Sequence, residues 1–453
     1  MLALYHPPIS GDKIRLFQLS LLRDGTISAT LRNFSLGADN CPSFIATSYT
    51  WDSEEASKKN SEENSKKDSK KESSFILLNN HRTAIPQSAH SLLKEMVSPH
   101  RQNEFPSETT WWWMDSICIN QEDQVERSTQ VELMGRIYQI AARATMIWLG
   151  EEYEDSEEAT KFLKELGWQD FMSPAQAKQI QSRKDSWKAV ESLLSRKWWE
   201  RMWTLQEFLL CQKVAFYCGR SKITREDMHA GVVGVWRWQQ RDNSLIQREA
   251  YEKAWNRFRL LKWYDQIKDN MPLVGTMAYT ATLRATDSKD RLYSLLGVVA
   301  AIDREIVGRP DYQSPTSFVY AQFVQSFTRT HKSLDIICLA PWLRSNKADG
   351  ERSLVEKEEE GQLASWAPDW SIHLLRTPPV PCMASQSSSA HIGNFRPVES
   401  ADFSAIYAAS GHHLPKISLS DDFLEMTCTG ICLNYIDGLG GVHQERRAPE
   451  DLI

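Results

Sequence analysis

The sequence predicts an α/β fold: a parallel sheet with a β-hairpin at its N-terminal edge, and a mainly helical region beside it. Three observations carry this. Residues Trp111 to Glu152 read as strand, helix, strand. Two strand-like runs flank Asp24-Gly25, a strong hairpin signal. From about Thr224 to Asn270, apolar residues recur at helical spacing.

In chain order, Ile14–Leu19 and Thr26–Asn33 are the arms of the hairpin. Phe44–Ser48 is the next strand and runs into Tyr49-Thr50-Trp51. Residues 52–74 are Ser, Lys and Glu with almost no apolar content. Such a segment cannot bury enough surface to offset its ordering entropy, so disorder is expected. A phosphorylation target is one reading of it, and a solvated insertion without a role is the weightier one. Phe75–Leu78 resumes the sheet, and Pro86 and Ser88 open a helix through Val97.

The central stretch begins with an apolar, aromatic strand, Trp111–Ile117. Asn120 offers a helix-capping oxygen, with Asp123 three residues later. The helix spans 123–142, with Val131, Met134, Tyr138 and Ala141 on one face. Glu132 precedes Arg136 by four residues, the favourable order for an ion pair. Thr145–Leu149 is a second short strand, closed by Gly150. Two buried strands joined by a helix form a βαβ unit, hence a parallel sheet.

Beyond Gly150, the acids of 151–158 suit a helix start, where the macrodipole favours negative charge. Helices follow at 156–166, 175–182 and 186–194, then a strand at 214–217 closed by Gly219. Tyr251, Ala254, Trp255, Phe258 and Leu261 form an apolar core stripe. Residues 286–297, TDSKDRLYSLLG, read as a cap, a short amphipathic helix and a glycine stop. Ser314-Pro315 opens a helix to about Thr330. A charged loop occupies 345–362, irregular chain 371–400, and a strand 424–436. Three regions result: 1–219, with the insertion at 52–74; a helical region at 220–335; and an irregular and β region at 336–453, which reads as cut short.

The totals bound the function. The chain has 453 residues, enough for two or three domains, and a formal net charge of −6. That gives no electrostatic footprint for nucleic acid or anionic membrane. Seventeen tryptophans point to large cores before aromatic-lined pockets. Eight cysteines without framework spacing and no secretory signal predict a reduced, cytoplasmic protein. No apolar run of about 18 residues exists, so no membrane span is expected.

The central stretch also carries a resemblance. Asp115, Cys118, Ile119, Asn120, Gln121, Glu126, Arg127, Gln130, Val131, Met134, Ile137, Tyr138, Trp148, Leu149 and Gly150 resemble the diagnostic segment of the fungal heterokaryon incompatibility (HET) domain. Ser116 stands where that family usually has alanine. Tyr49-Thr50-Trp51 resembles another of its strand ends, with Asp52 replacing a glycine. Arg196, Trp198, Trp199, Arg201, Trp203, Gln206 and Glu207 match a further motif. Residues 286–297 and Leu363–Ser371, LASWAPDWS, resemble signatures found in the same proteins. The likeness covers 5–371, with the HET domain proper at about 44–207.

Several catalytic signals are absent. There is no GxSxG elbow, no P-loop and no dinucleotide fingerprint at 438–441. Cys428, Cys432 and His443 fit no standard zinc spacing, so no metal is expected. Cys118 could be imagined as a nucleophile, but a cysteine at a buried strand end is more often inert.

The segment Trp203 to Phe208 is similar to a helix of TIR domains, whose fold HET domains resemble distantly. The likeness implies a parallel TIR-like (flavodoxin-like) sheet and places Glu207 where TIR enzymes hold the catalytic glutamate that cleaves NAD. Nicotinamide departure leaves positive charge on ribose, which a carboxylate stabilises. Trp51 or Trp203 could wall a ring. Asp115, Asn120 and Gln121 stand at the carboxyl end of a parallel strand, where open α/β sheets bind ligands. The same three could simply fasten a loop, and Glu207 could pair with Arg201, Arg196 or Arg143, the reading with the larger share. The resemblance implies nonself recognition and triggered cell death. Two mechanisms stay open: an NAD-consuming hydrolase switched on by self-association, with NAD as substrate and no cofactor, or a non-enzymatic module that recruits protein partners.

Overall fold

The computed structural model describes residues 5, 8–51, 74–141, 144–153, 155–167, 173–332, 334–340, 362–372 and 416–430. Nearly all of the expected insertion at 52–74 lies outside them, as do Arg143, Cys432, His443, residues 438–441 and most of the 345–362 and 371–400 loops.

The strands are β1 (Lys13–Leu21), β2 (Ile27–Ser35), β3 (Phe44–Ser48), β4 (Phe75–Leu78), β5 (His81–Ala84), β6 (Trp111–Trp113), β7 (Ala144–Trp148), β8 (Val214–Cys218), β9 (Ser221–Thr224), β10 (Ile417–Leu419) and β11 (Met426–Cys428). The helices that frame the sheet are α1 (Gln87–Met96), α2 (Asp115–Cys118), α3 (Gln124–Ile140), α4 (Ser156–Gly167), α5 (Pro174–Ser182), α6 (Lys184–Leu194) and α7 (Thr204–Leu209). The helical region holds α8 (Arg225–Gln239), α9 (Arg248–Ile267), α10 (Leu273–Tyr279), α11 (Asp290–Tyr293), α12 (Ala301–Val307) and α13 (Thr316–His331).

Nine strands form one mixed sheet in the order β5-β4-β2-β1-β6-β3-β7-β8-β9. Its centre, β6-β3-β7-β8, is parallel throughout. The strand–helix–strand reading of the central stretch holds, with β3 inserted between β6 and β7. Counted along the chain, the parallel strands lie in the order second, first, third, fourth. The chain therefore leaves β3 to one side and returns on the other. The hairpin is not at an edge. β1 joins β6 through Phe17 opposite Trp112, and β2 takes β4 alongside.

The two edge strands, β5 and β9, were not legible in the sequence. Both are short and mostly exposed, so they carry little apolar signal. The β4–β5 turn is Asn79-Asn80, with φ of 49° and 66°, the backbone of a two-residue type I′ hairpin.

The central stretch differs locally. The strand expected over 111–117 ends at Trp113, and 115–118 is a helical turn. Apolar content signals burial here, and a short apolar run does not distinguish strand from helix. The cap of α3 is Asp123, whose Oδ1 accepts from the N–H groups of Val125 and Glu126 at 3.0 and 3.1 Å. Asn120 instead closes the preceding turn by accepting from the Glu122 N–H at 3.3 Å. Glu132 meets Arg309 at 3.9 Å rather than Arg136.

One contiguous core joins β1–β4 and β6–β9 to all the helices α1–α13 and to the segment around Trp370. That segment belongs to LASWAPDWS, and Trp370 sets its ring against Tyr320 and Phe323 of α13 at 5.3 and 5.4 Å between centroids. The helical region is thus packed onto the sheet.

Candidate functional site

Two strand ends and one short helix converge on a polar crevice. β3 stops at Ser48 and delivers Tyr49 and Trp51 just past the sheet. β6 stops at Trp113, which puts Asp115 at the same rim. The reversal of strand order at β3 makes this the carboxyl-end crevice where open α/β sheets bind ligands. Trp203 precedes α7, which carries Glu207.

Trp51 is 36% exposed, and its indole N–H donates to Asp115 Oδ2 at 3.1 Å. Asp115 Oδ1 accepts from the Ser116 N–H at 2.8 Å. The Tyr49 hydroxyl donates to Ser116 Oγ at 2.7 Å, and the Arg201 guanidinium donates to the Tyr49 carbonyl. Burial pushes the Asp115 carboxyl up, against the pull of Arg201 and of its bonds to Tyr49, Ser116 and Trp51.

Glu207 is 5% exposed, and its Oε2 has no hydrogen-bond partner. Burial pushes its carboxyl up to about 7. Arg201, the Ser48 hydroxyl and Arg257 pull it down, and neighbouring Asp115 adds to the rise. Ser48 Oγ also accepts from the Trp198 indole N–H at 2.7 Å. Tyr138 donates its hydroxyl to the Thr47 carbonyl at 2.9 Å. Burial, then the Glu207 and Asp115 charges, hold that phenol well above its usual range.

Arg257 completes the floor. Its Nη2 donates to the carbonyls of Trp199 and Arg201 at 3.0 and 2.8 Å, while Nη1 has no partner. Burial pulls its guanidinium down to about 9, offset by Glu207. The result is a buried acid that changes charge near neutral pH, with one oxygen unpartnered, within electrostatic reach of two guanidinium groups. Such a group can stabilise a developing cation or exchange a proton.

The structure therefore brings Trp51, Asp115 and Glu207 together. It sends other candidates elsewhere. Trp203 donates its indole N–H to Asp290 Oδ2 at 2.8 Å. Gln121 Nε2 donates to the Asp115 carbonyl at 3.1 Å, fastening the loop. The Asn120 N–H donates to Glu126 Oε1 at 2.7 Å. Arg196 turns to the Glu151 carbonyl and Ser156 Oγ and lies over the Tyr153 ring. Cys118 is buried, and burial pushes its thiol far up, so it is no nucleophile. Cys428 is exposed, and among the described residues no cluster of potential metal ligands occurs.

Sequence reasoning missed Ser48, Tyr138 and Arg257 as members of the crevice. Arg257 left a trace: it is a charge beside Ala254 and Phe258 on the core stripe. Ser48 left none, since it looks like an ordinary strand residue, and Tyr138 left only its place in the HET likeness.

A family model described as heterokaryon incompatibility protein (HET) matches residues 44–207. Over 392 residues the chain is 26% identical to heterokaryon incompatibility protein 6, OR allele, of Neurospora crassa, covering 74% of this chain and 54% of that protein. The chain thus spans about half the length of the curated relative it matches. No solved structure matches. The matched interval opens at β3 and closes at Glu207, and it holds every crevice residue described above except Arg257. Residues 44–207 thus match the heterokaryon incompatibility (HET) domain, and the chain is similar to a fungal heterokaryon incompatibility protein.

Proposed function

We propose that this protein acts in vegetative incompatibility, and that its HET domain triggers cell death by hydrolysing NAD in the crevice floored by Glu207. The name of the Neurospora relative supports the incompatibility role. The unpartnered Glu207 Oε2 at the carboxyl ends of the parallel strands carries the enzymatic part. Buried polar atoms are nearly always bonded, so an unpartnered carboxyl oxygen suits a group that binds there. The second-first-third-fourth order of the parallel strands is that of flavodoxin-like sheets, which supports the TIR-like reading.

In this reading Trp51 stacks on the nicotinamide or adenine ring, and Asp115 accepts from ribose hydroxyls. Ionised Glu207 stabilises the positive charge that develops on the ribose as the bond to nicotinamide breaks. Water then adds to that carbon and releases a proton, giving ADP-ribose. The protein works in the cytoplasm and is switched on by self-association or a protein partner.

A second reading has its own support. Glu207 is enclosed, as a structural acid would be, which suits a non-enzymatic module that recruits partners. Incubating the purified protein with NAD and following nicotinamide release separates the two. Release that disappears in Glu207→Gln supports the hydrolase. No release from a self-associated, correctly folded protein leaves the recruiting module.

A further inference from the structure

We propose that the groove between the C-terminal end of α13 and the β10–β11 hairpin binds a small anion carrying two or more phosphate groups. The groove has a volume of about 630 Å³, within the range of small-molecule sites. Three cations line it: Arg329 and Lys332 from the end of α13, and Lys416 from the hairpin. Thr328, Ser418, Thr427 and Thr429 add hydroxyl groups, and among the described residues no carboxylate lines the groove. This proposal does not rest on the NAD reading.

The helix alone explains part of this. Cations at a helix C-terminus complement the macrodipole, which accounts for Arg329 and Lys332. It does not account for Lys416, which comes from a separate element. Bringing a third cation to two others is unfavourable unless an anion joins them. The chain as a whole is acidic, at −6, so three cations lining one groove with no acid among the described residues runs against its composition. Among the described residues, none of the three has an ion-pair partner. The hairpin is held in place by packing instead: Phe423 sets its ring edge-on to Phe318 of α13, 5.2 Å between centroids.

The lining also says what kind of anion fits. Among the described residues Ile417 is its one apolar residue, and no aromatic ring lines it to stack a base. Recognition must therefore come from charge and from hydroxyl donors, which is phosphate chemistry. A groove of this volume has room for more than one phosphate group. Pyrophosphate or an inositol polyphosphate, free or as a lipid headgroup, fits that volume and charge.

Titration calorimetry of the full chain with pyrophosphate and with inositol hexakisphosphate tests this. One site with a Kd of about 10 μM or tighter is expected, weakening steeply with salt. The exposed double variant Arg329→Ala/Lys416→Ala should lose at least about tenfold in affinity while melting at the parent temperature. No binding, or equal binding by the variant, overturns the proposal. Vesicles with and without phosphatidylinositol bisphosphate identify the source. Sedimentation with the phosphoinositide vesicles, competed by soluble inositol trisphosphate and lost in the variant, assigns a headgroup. Binding of the soluble anion without sedimentation assigns a free phosphate compound. Sedimentation that the variant retains overturns the proposal.

Discussion

The indole N–H of Trp203 meets Asp290 Oδ2 at 2.8 Å, and this bond ties the end of the HET domain to the TDSKDR segment of the helical region. Asp290 accepts at its other oxygen from the Tyr312 hydroxyl at 2.7 Å. Arg127 of α3 lies over the Tyr312 ring, 4.1 Å from its centroid. Burial pushes the Asp290 carboxyl up to about 6, against the pull of both bonds. Asp290 is therefore a shared acceptor that joins three parts of the chain immediately behind α7.

Asp290→Ala should leave the Trp203 and Tyr312 donors without their acceptor. Each orphaned buried group costs about 1–3 kcal/mol, so a loss of roughly 2–5 kcal/mol is expected. Urea unfolding of the parent and the variant measures it. An unchanged midpoint would show that the two donors find other partners.

Gly135 and Gly297 touch backbone to backbone. A Cβ on Gly135 would stand 2.7 Å from the Cα of Gly297, and one on Gly297 would stand 2.7 Å from Gln206 Oε1. Gly297 is not left-handed, so its place after α11 is a matter of close approach, not of stopping a helix. Gly135→Ala should destabilise by about 1–3 kcal/mol despite its better helix propensity. A rise in melting temperature would contradict the close approach.

Arg15 and Glu126 form a buried two-pronged ion pair at 2.5 and 2.9 Å, and Glu126 also accepts from the Asn120 N–H. Glu126→Gln or Arg15→Met alone strands a buried charge and should cost about 3–5 kcal/mol. Because each removes the same interaction, the double variant should lose less than the sum. A double-mutant cycle checks this, and strict additivity would rule out direct coupling.

Glu207 makes stability depend on pH with a definite sign. Its carboxyl rises from 4.5 in the unfolded chain to about 7 in the folded protein. Between those values the folded state keeps a proton that the unfolded chain has released. The stability this contributes is complete below 4.5 and is lost as pH rises through 7. The loss is on the order of 3 kcal/mol. Glu207→Gln cannot titrate, so denaturation at pH 5 and pH 8 should show a smaller fall in the variant than in the parent. Asp115 and Asp290 act in the same direction, so some fall remains. Nicotinamide release, in the hydrolase reading, should rise with pH through about 7, as Glu207 ionises.

By itself the sequence determined the elements whose burial is written locally. The hairpin around Asp24-Gly25, β3, β4, β7 and the long helices appear where apolar spacing and turn residues place them. Trp148 belongs to this class. It lies on a short apolar run and is 2% exposed in the structure. The tertiary structure alone decided which strands pair, so β3 entered between β6 and β7 and the hairpin moved inside the sheet. It also decided the partners of polar side chains. Trp198 reaches Ser48, Arg201 reaches Tyr49, Trp203 reaches Asp290, and Arg257 comes within electrostatic reach of Glu207. The reason is one of range. Periodicity and capping act over a few neighbouring residues, whereas these contacts join groups far apart in the chain and form only once the core has brought their elements together.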